Sequence, residues 1–169
     1  MDYEIVDLPD FSGRGCTIYS VIPKGHTQTL LDRFIKENIT DHPLEVRKLI
    51  ANLRDIGGEV GMRERYFKPN EGGLGDQIGA MYVHKGAGLR LYFIKYGSDV
   101  ILLGGGGYKG QGIRAWQDDP KLKEEVELLI QLSKDIGSRL ILKDDLWWSP
   151  DHRNIEGDLK NYGSQKEEP

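Results

Sequence analysis

Sixteen of the 22 glycines in this 169-residue chain fall between Gly57 and Gly112, and no other feature restricts the fold as strongly. Glycine costs a helix about 1 kcal/mol relative to alanine and readily takes the backbone angles that turns require. A segment this rich in it is built from short strands and tight turns rather than from long helices. The apolar spacing from Met62 to Gly107 agrees, because its period is that of a strand. It predicts strands over 63–68, 77–83, 89–95 and 99–103, the last two joined through Tyr96-Gly97-Ser98, as an antiparallel meander.

Other periods flank this region. Residues 3–8 and 17–22 are β-branched and aromatic and are separated by Ser12-Gly13-Arg14-Gly15, which reads as a hairpin or as a first strand with a leader. Leu30, Leu31, Phe34 and Ile35 recur at helical spacing within 26–38, and Asp41-His42-Pro43 restarts a helix with a cap candidate and an early proline. That second helix carries Leu44, Leu49, Ile50, Leu53 and Ile56 on or near one face and stops at Gly57-Gly58. Asp118-Asp119-Pro120 opens a third helix, with Leu122, Val126, Leu129, Ile130 and Ile136 on one face up to Gly137. Residues 139–142 read as a final strand, followed by Leu146-Trp147-Trp148 and a polar tail whose last dozen residues are expected to be mobile.

With 38% hydrophobic and 30% charged residues and no apolar run near 18 residues, the chain reads as one globular domain, neither membrane-spanning nor disordered. The acidic start Met1-Asp2-Tyr3-Glu4 lacks the order of a signal peptide, and the lone Cys16 has no partner for an internal disulfide, so the cytoplasm is the expected compartment. The net charge of -4 argues against a nucleic-acid partner. It hides a partition, however: residues 61–116 carry 8 basic and 4 acidic side chains, against 7 and 10 before them and 8 and 13 after. Either a basic working surface sits on an acidic scaffold, or charges distant in sequence mix in space.

Two segments stand out chemically. Alternation along 89–95 sends Leu89, Leu91 and Phe93 to one face and Arg90, Tyr92 and Ile94 to the other. On that second face Arg90 and Tyr92 suit a phosphate and a stacked base, or else a cross-strand ion pair beside a half-buried ring. The run Gly104-Gly105-Gly106-Gly107-Tyr108-Lys109-Gly110 fits a dinucleotide fingerprint in one register, but no helix begins until about residue 119 and no βαβ unit is evident. It reads as a flexible connection, or as a loop admitting a nucleic-acid backbone to Tyr108 and Lys109. Histidines 26, 42, 84 and 152 are dispersed without metal-ligand spacing, and no G-x-S-x-G signature occurs. His84 and Lys85 read as acid-base residues or as a surface turn, and Trp147 and Trp148 as a base-stacking pair, a hydrophobic lid or a partner contact.

In the order strand, two helices, meander, the segments Phe67-Lys68, Gly88-Leu89-Arg90-Leu91-Tyr92-Phe93 and Val100-Ile101-Leu102-Leu103-Gly104-Gly105-Gly106-Gly107-Tyr108-Lys109 resemble the RelE/HigB/ParE toxin superfamily over roughly residues 17–137. Members show an arginine-bearing strand of the form R-h-x-h and then a short glycine-containing turn with a lysine, matched here by Arg90 and Lys109. The resemblance implies an α+β, RelE-like fold, with two N-terminal helices packed on one face of an antiparallel sheet, plus a C-terminal helix and tail. The domain would span 1–145 with an N-terminal strand extension, the polar tail 146–169, and the other sheet face would be an open, concave surface for RNA.

The implied function is that of a type II toxin-antitoxin toxin, a metal-independent endoribonuclease that needs no cofactor, cleaves mRNA on the ribosome or free, and is neutralised by a cognate antitoxin. The alternative is a ParE-like non-nuclease toxin, or a diverged protein-binding module, inhibiting a DNA topoisomerase. The implied catalytic set is Arg90, Lys109, Tyr92, Tyr108 and His84, with Lys68, Lys85, Lys95 and Arg114 binding RNA. A third class, a small-molecule domain using the glycine loop, requires a deep pocket instead of an open sheet face.

Overall fold

The segment 17–22 contains almost nothing that water would claim, and a strand of that kind belongs inside a sheet covered on both faces. The computed structural model describes residues 1–62, 67–68, 77–143 and 145–161. In chain order come β1 (Tyr3–Asp7), β2 (Thr17–Pro23), α1 (Leu30–Asn38), α2 (Pro43–Asp55), β3 (Phe67–Lys68), β4 (Ile78–Met81), β5 (Gly88–Tyr96), β6 (Val100–Lys109), α3 (Pro120–Leu142), β7 (Leu146–Trp148), β8 (Ile155–Gly157) and β9 (Lys160–Asn161). Seven strands form one sheet in the order β3-β4-β5-β6-β2-β1-β9, and β7 with β8 forms a separate hairpin. Neighbours are antiparallel except β2 and β6, which run parallel with Thr17 beside Val100 and Ser20 beside Leu103.

This overturns the expected arrangement of two N-terminal helices on an antiparallel, RelE-like sheet. The chain is α+β, but its first elements are the strands β1 and β2, paired as a hairpin, and its sheet is mixed. The reason lies in β2, whose first five residues are buried throughout and which pairs with β6 across a connection made of α1, α2 and the strands β3 to β5.

Alternation along the strands divides the core in two. Ile18, Leu89, Leu91, Phe93, Ile101 and Leu103 meet Leu31 and Phe34 of α1 and Val46, Leu49 and Leu53 of α2. Tyr19, Tyr92, Ile94 and Leu102 instead meet Leu122, Val126, Leu129, Leu132 and Ile136 of α3. The second face is therefore not an open concave surface: α3 covers it, leaving Tyr92 2% and Ile94 0% exposed.

Local chemistry fixes the helices. The Thr29 hydroxyl accepts from the Asp32 amide to cap α1, Asp119 caps α3 through the Leu122 amide, and Pro43 and Pro120 occupy first-turn positions. In α2, Val46 is buried, whereas Leu44, assigned to the apolar face from the sequence, is exposed. Residues 139–142 are not a strand but the last turn of α3, where Ile136, Arg139 and Leu140 continue the buried stripe past Gly137. Packing overrides the glycine, and the helix stops only at Lys143, which takes a left-handed conformation (φ 53°).

The glycine run is likewise not a loop. Gly104 to Gly107 lie inside β6, which keeps pairing with β5 through a bulge: Leu91 faces Gly106, Phe93 faces Leu103, and two residues of β6 stand opposite one of β5. What the glycines admit is protein. A Cβ on Gly104 would lie 3.0 Å from Leu129, and one on Gly105 2.3 Å from Glu125 of α3 and 2.9 Å from Arg33 of α1. Arg33 donates to both oxygens of the Glu125 carboxylate, and Lys121 donates to it at 2.9 Å, tying α1 to α3 over this stretch.

The segment from 146 on, read from the sequence as a polar tail, folds back. Trp147 and Trp148 belong to the β7–β8 hairpin, and β9 pairs with β1. Residues 162–169 of that tail, and 63–66 of the expected first meander strand, lie outside the described residues. Among the described residues no helix is long and apolar enough to cross a membrane.

Candidate functional site

At an open corner of the α3-covered face lies a cleft of about 210 Å³, where β3, β4, β5 and β6 end. Sheet register explains its lining. Lys68, Ala80 and Tyr92 stand in one row across β3, β4 and β5. Arg90 lies two residues along β5 on the same face, opposite Gly107, and Lys109 lies two residues beyond Gly107 on β6. Small residues at positions 80 and 107 set a low floor, and long cationic side chains rise around it. The turn after β4 adds Tyr82 and Lys85, and the connection to α3 adds Arg114, Ala115 and Trp116.

Among the described residues the lining thus holds five cations, Lys68, Lys85, Arg90, Lys109 and Arg114, with three aromatic rings, Tyr82, Tyr92 and Trp116, and no carboxylate. On a chain of net charge -4 this is a strong local reversal, and cations gathered so densely favour an anionic ligand.

Arg90 is 6% exposed and rigidly held. Its Nη2 donates to the carbonyls of Lys85 (3.0 Å) and Gly86 (2.8 Å), its Nη1 donates to the carbonyl of Leu89 (3.1 Å), and its guanidinium lies 5.0 Å from the centre of the Tyr82 ring. Lys109 does the same for the other rim, donating to the Arg114 carbonyl at 3.2 Å. Each cation therefore shapes a rim of the cleft as well as charging it. A guanidinium fixed in this way meets a phosphate with little further ordering to lose.

Of the residues singled out from the sequence, Lys68, Lys85, Arg90, Tyr92, Lys109 and Arg114 come together here. Tyr108, His84 and Lys95 do not. Tyr108 points to the opposite face, since neighbours on a strand alternate, and its ring stacks on His42 with centroids 4.4 Å apart. His84 is exposed on the turn before β5, beside the would-be Cβ of Gly88 and near the Glu45 carboxylate, which accepts from the Leu89 amide at 2.8 Å. Lys95 shares the Leu89 face of β5 and pairs across to Ile101, far along the strand from the cleft. Trp116 and Tyr82 were missed. Tyr82 follows Ala80 at strand spacing, a signal the sequence carries, but nothing local marks Trp116 as part of the same site.

Phosphodiester chemistry suits this lining. The cations can balance phosphate charge, the rings can stack on bases, and the lysines can move protons. Among the described residues no three His, Cys, Asp or Glu side chains gather so as to hold a metal ion. Compared with known protein families, with curated proteins and with solved structures, the chain matches none.

Proposed function

We propose that this protein is an mRNA-cleaving toxin, a metal-independent endoribonuclease that acts in the cytoplasm and is held inactive by a cognate antitoxin. One observation carries the reading: five cations and three aromatic rings converge on one cleft. A single-stranded RNA lays a phosphate against Arg90 and Lys109 and a base against Trp116 or Tyr82. The 2′-hydroxyl oxygen attacks the adjacent phosphorus, the bond from phosphorus to the 5′-oxygen breaks, and a 2′,3′-cyclic phosphate forms. The cations stabilise the extra negative charge of the pentavalent state, Lys68 protonates the departing 5′-oxygen, and the 2′-proton passes to solvent. His84, outside the cleft, has no part in this scheme.

A second reading keeps the cleft and drops the cleavage. The Arg90 guanidinium is engaged by three backbone carbonyls, and among the described residues no histidine or carboxylate lines the site to serve as a base. Those two facts favour a protein-binding toxin that inhibits a DNA topoisomerase.

Induced expression in a bacterial host, with growth curves and mapping of transcript ends, separates the two. The native chain is compared with the Arg90→Ala, Lys109→Ala double variant, whose fold is checked by circular dichroism. Growth arrest with new cyclic-phosphate ends in the native sample alone supports the nuclease. Arrest without new ends supports the second reading, and no arrest removes both.

A further inference from the structure

A second cleft, of about 450 Å³, opens at the far end of β5 and shares no lining residue with the first. Tyr96, Trp148 and His152 supply its aromatic walls. The Tyr96 and Trp148 rings meet at 67° with centroids 5.5 Å apart, which makes a corner, and His152 lies nearly parallel to Trp148 at 6.3 Å. Among the described residues of the lining, Asp99 contributes the one carboxylate, and there is no lysine or arginine. Arg153 reaches Asp99 from outside the cleft at 3.6 Å, and the Asp99 side chain stays 49% exposed.

Backbone strain concentrates at the same place. Three non-glycine residues adopt left-handed angles among those described, and two of them, Gln77 (φ 58°) and His152 (φ 59°), line this cleft. Such conformations persist where the surrounding structure enforces them, and they gather at ligand sites. The electrostatic character is the reverse of the first cleft. Ring faces are negative, a carboxylate adds to them, and two rings inclined at 67° offer a compact cation two surfaces at once.

We propose that this cleft binds an alkylated ammonium group, its charge directed at Asp99 and its methyl or methylene groups against Tyr96 and Trp148. The chemistry is common to a free quaternary amine and to a methylated lysine side chain, and the test separates the two sources.

The full chain, labelled with nitrogen-15, is titrated with tetramethylammonium chloride while the indole N–H signals of Trp116, Trp147 and Trp148 are followed, a Trp148→Phe variant supplying the assignment. The expected result is a saturable shift at Trp148 and none at Trp116, which lies in the cationic cleft. Sodium chloride at equal concentration leaves Trp148 unmoved, and the neutral isostere tert-butanol binds at least about threefold more weakly, as follows from losing the cation–ring attraction. Asp99→Asn, an exposed and nearly isosteric change, weakens tetramethylammonium by about threefold to tenfold. Choline and a trimethyllysine tripeptide then divide the sources, the tighter of the two naming the class. The proposal is overturned by an absent or non-saturable shift, by equal affinity for the neutral isostere, or by an Asp99→Asn variant that binds as the native chain does.

Discussion

A single methyl group at position 106 tests the link between the bulge in β6 and the cationic cleft. A Cβ built on Gly106 lies 1.8 Å from the carbonyl oxygen of Arg90 and 2.9 Å from its carbonyl carbon, whereas ordinary contact begins near 3.4 Å. Both neighbours are backbone, so no rotamer relieves the clash, and β5 and β6 have to part by the difference, 3.4 minus 1.8, or 1.6 Å. That movement opens the pairings of Arg90 with Gly107 and of Leu91 with Gly106. Overpacking costs about 1–3 kcal/mol and two weakened hydrogen bonds about 1 kcal/mol each, so Gly106→Ala is expected to destabilise by about 4 kcal/mol. For a chain of this size the melting temperature falls by about 8–16 °C. Gly137 is the counterpart, a glycine inside α3 with nothing within 4 Å of its would-be Cβ, and Gly137→Ala is expected to stabilise by about 0.5–1 kcal/mol. Urea unfolding of the two variants beside the native chain measures both effects. A Gly106→Ala cost below about 1 kcal/mol would refute the close approach of the strands, and with it the account of how Arg90 is placed.

Three further expectations concern other parts of the molecule. Glu125 is a buried carboxylate that holds Arg33 and Lys121, and Glu125→Ala should cost about 2 kcal/mol in urea unfolding, below the 3–5 typical of fully buried pairs because both cations reach solvent; no loss of stability would show that the network does not tie α1 to α3. Burial, with a lesser contribution from the Asp99 charge, pushes the Cys16 thiol up to about 11, so the native state keeps a proton that the unfolded chain releases near pH 9. Cys16 should therefore contribute about 2 kcal/mol to a fall in stability as pH rises from about 9 to 11, beside the buried phenols of Tyr3, Tyr19 and Tyr96, which burial raises in the same way, and Cys16→Ala should lessen but not abolish that slope in urea midpoints measured across the range. On the RNA proposal, Trp116→Ala should weaken single-stranded RNA binding about tenfold at unchanged salt dependence. The Lys68→Ala, Arg114→Ala pair should instead reduce the slope of log affinity against log salt by about 1.4, and equal slopes would show that neither side chain meets a phosphate.

Strand alternation made one half of the site legible. The spacing of Leu89, Leu91 and Phe93 against Arg90, Tyr92 and Ile94 assigns both faces of β5 as they stand, and Lys109 lies on the face that its parity with Gly107 dictates. The same rule sends Tyr108 to the other side, but only once 104–107 is known to be strand. Four consecutive glycines conceal that, because their extended conformation is imposed by β5 and α3 rather than by any side chain of their own. The parallel contact of β2 with β6 was hidden for a related reason: an all-buried strand carries no alternation to say which neighbour it takes. Trp116 enters the cleft through a turn whose path depends on the docking of α3, so no local pattern announces it. Residues 146–161 looked like a tail because β7, β8 and β9 have only two or three residues each, too few to establish a period.

The pairing of β9 with β1 sets a condition on how the chain is made. Tyr3 lies opposite Asn161, and the Tyr3 hydroxyl donates to Asp135 and accepts from Arg139, whose other nitrogens reach Asp145 and the Asp158 carbonyl. Among the described residues, the partners of the first strand's outer edge and of Tyr3 thus lie at least 132 residues further along the chain. During translation β1 can dock on β2 early, yet its outer hydrogen-bonding edge stays bare until residue 161 has emerged. Closing that edge of the sheet therefore waits on residues 160–161, not on formation of the central strands.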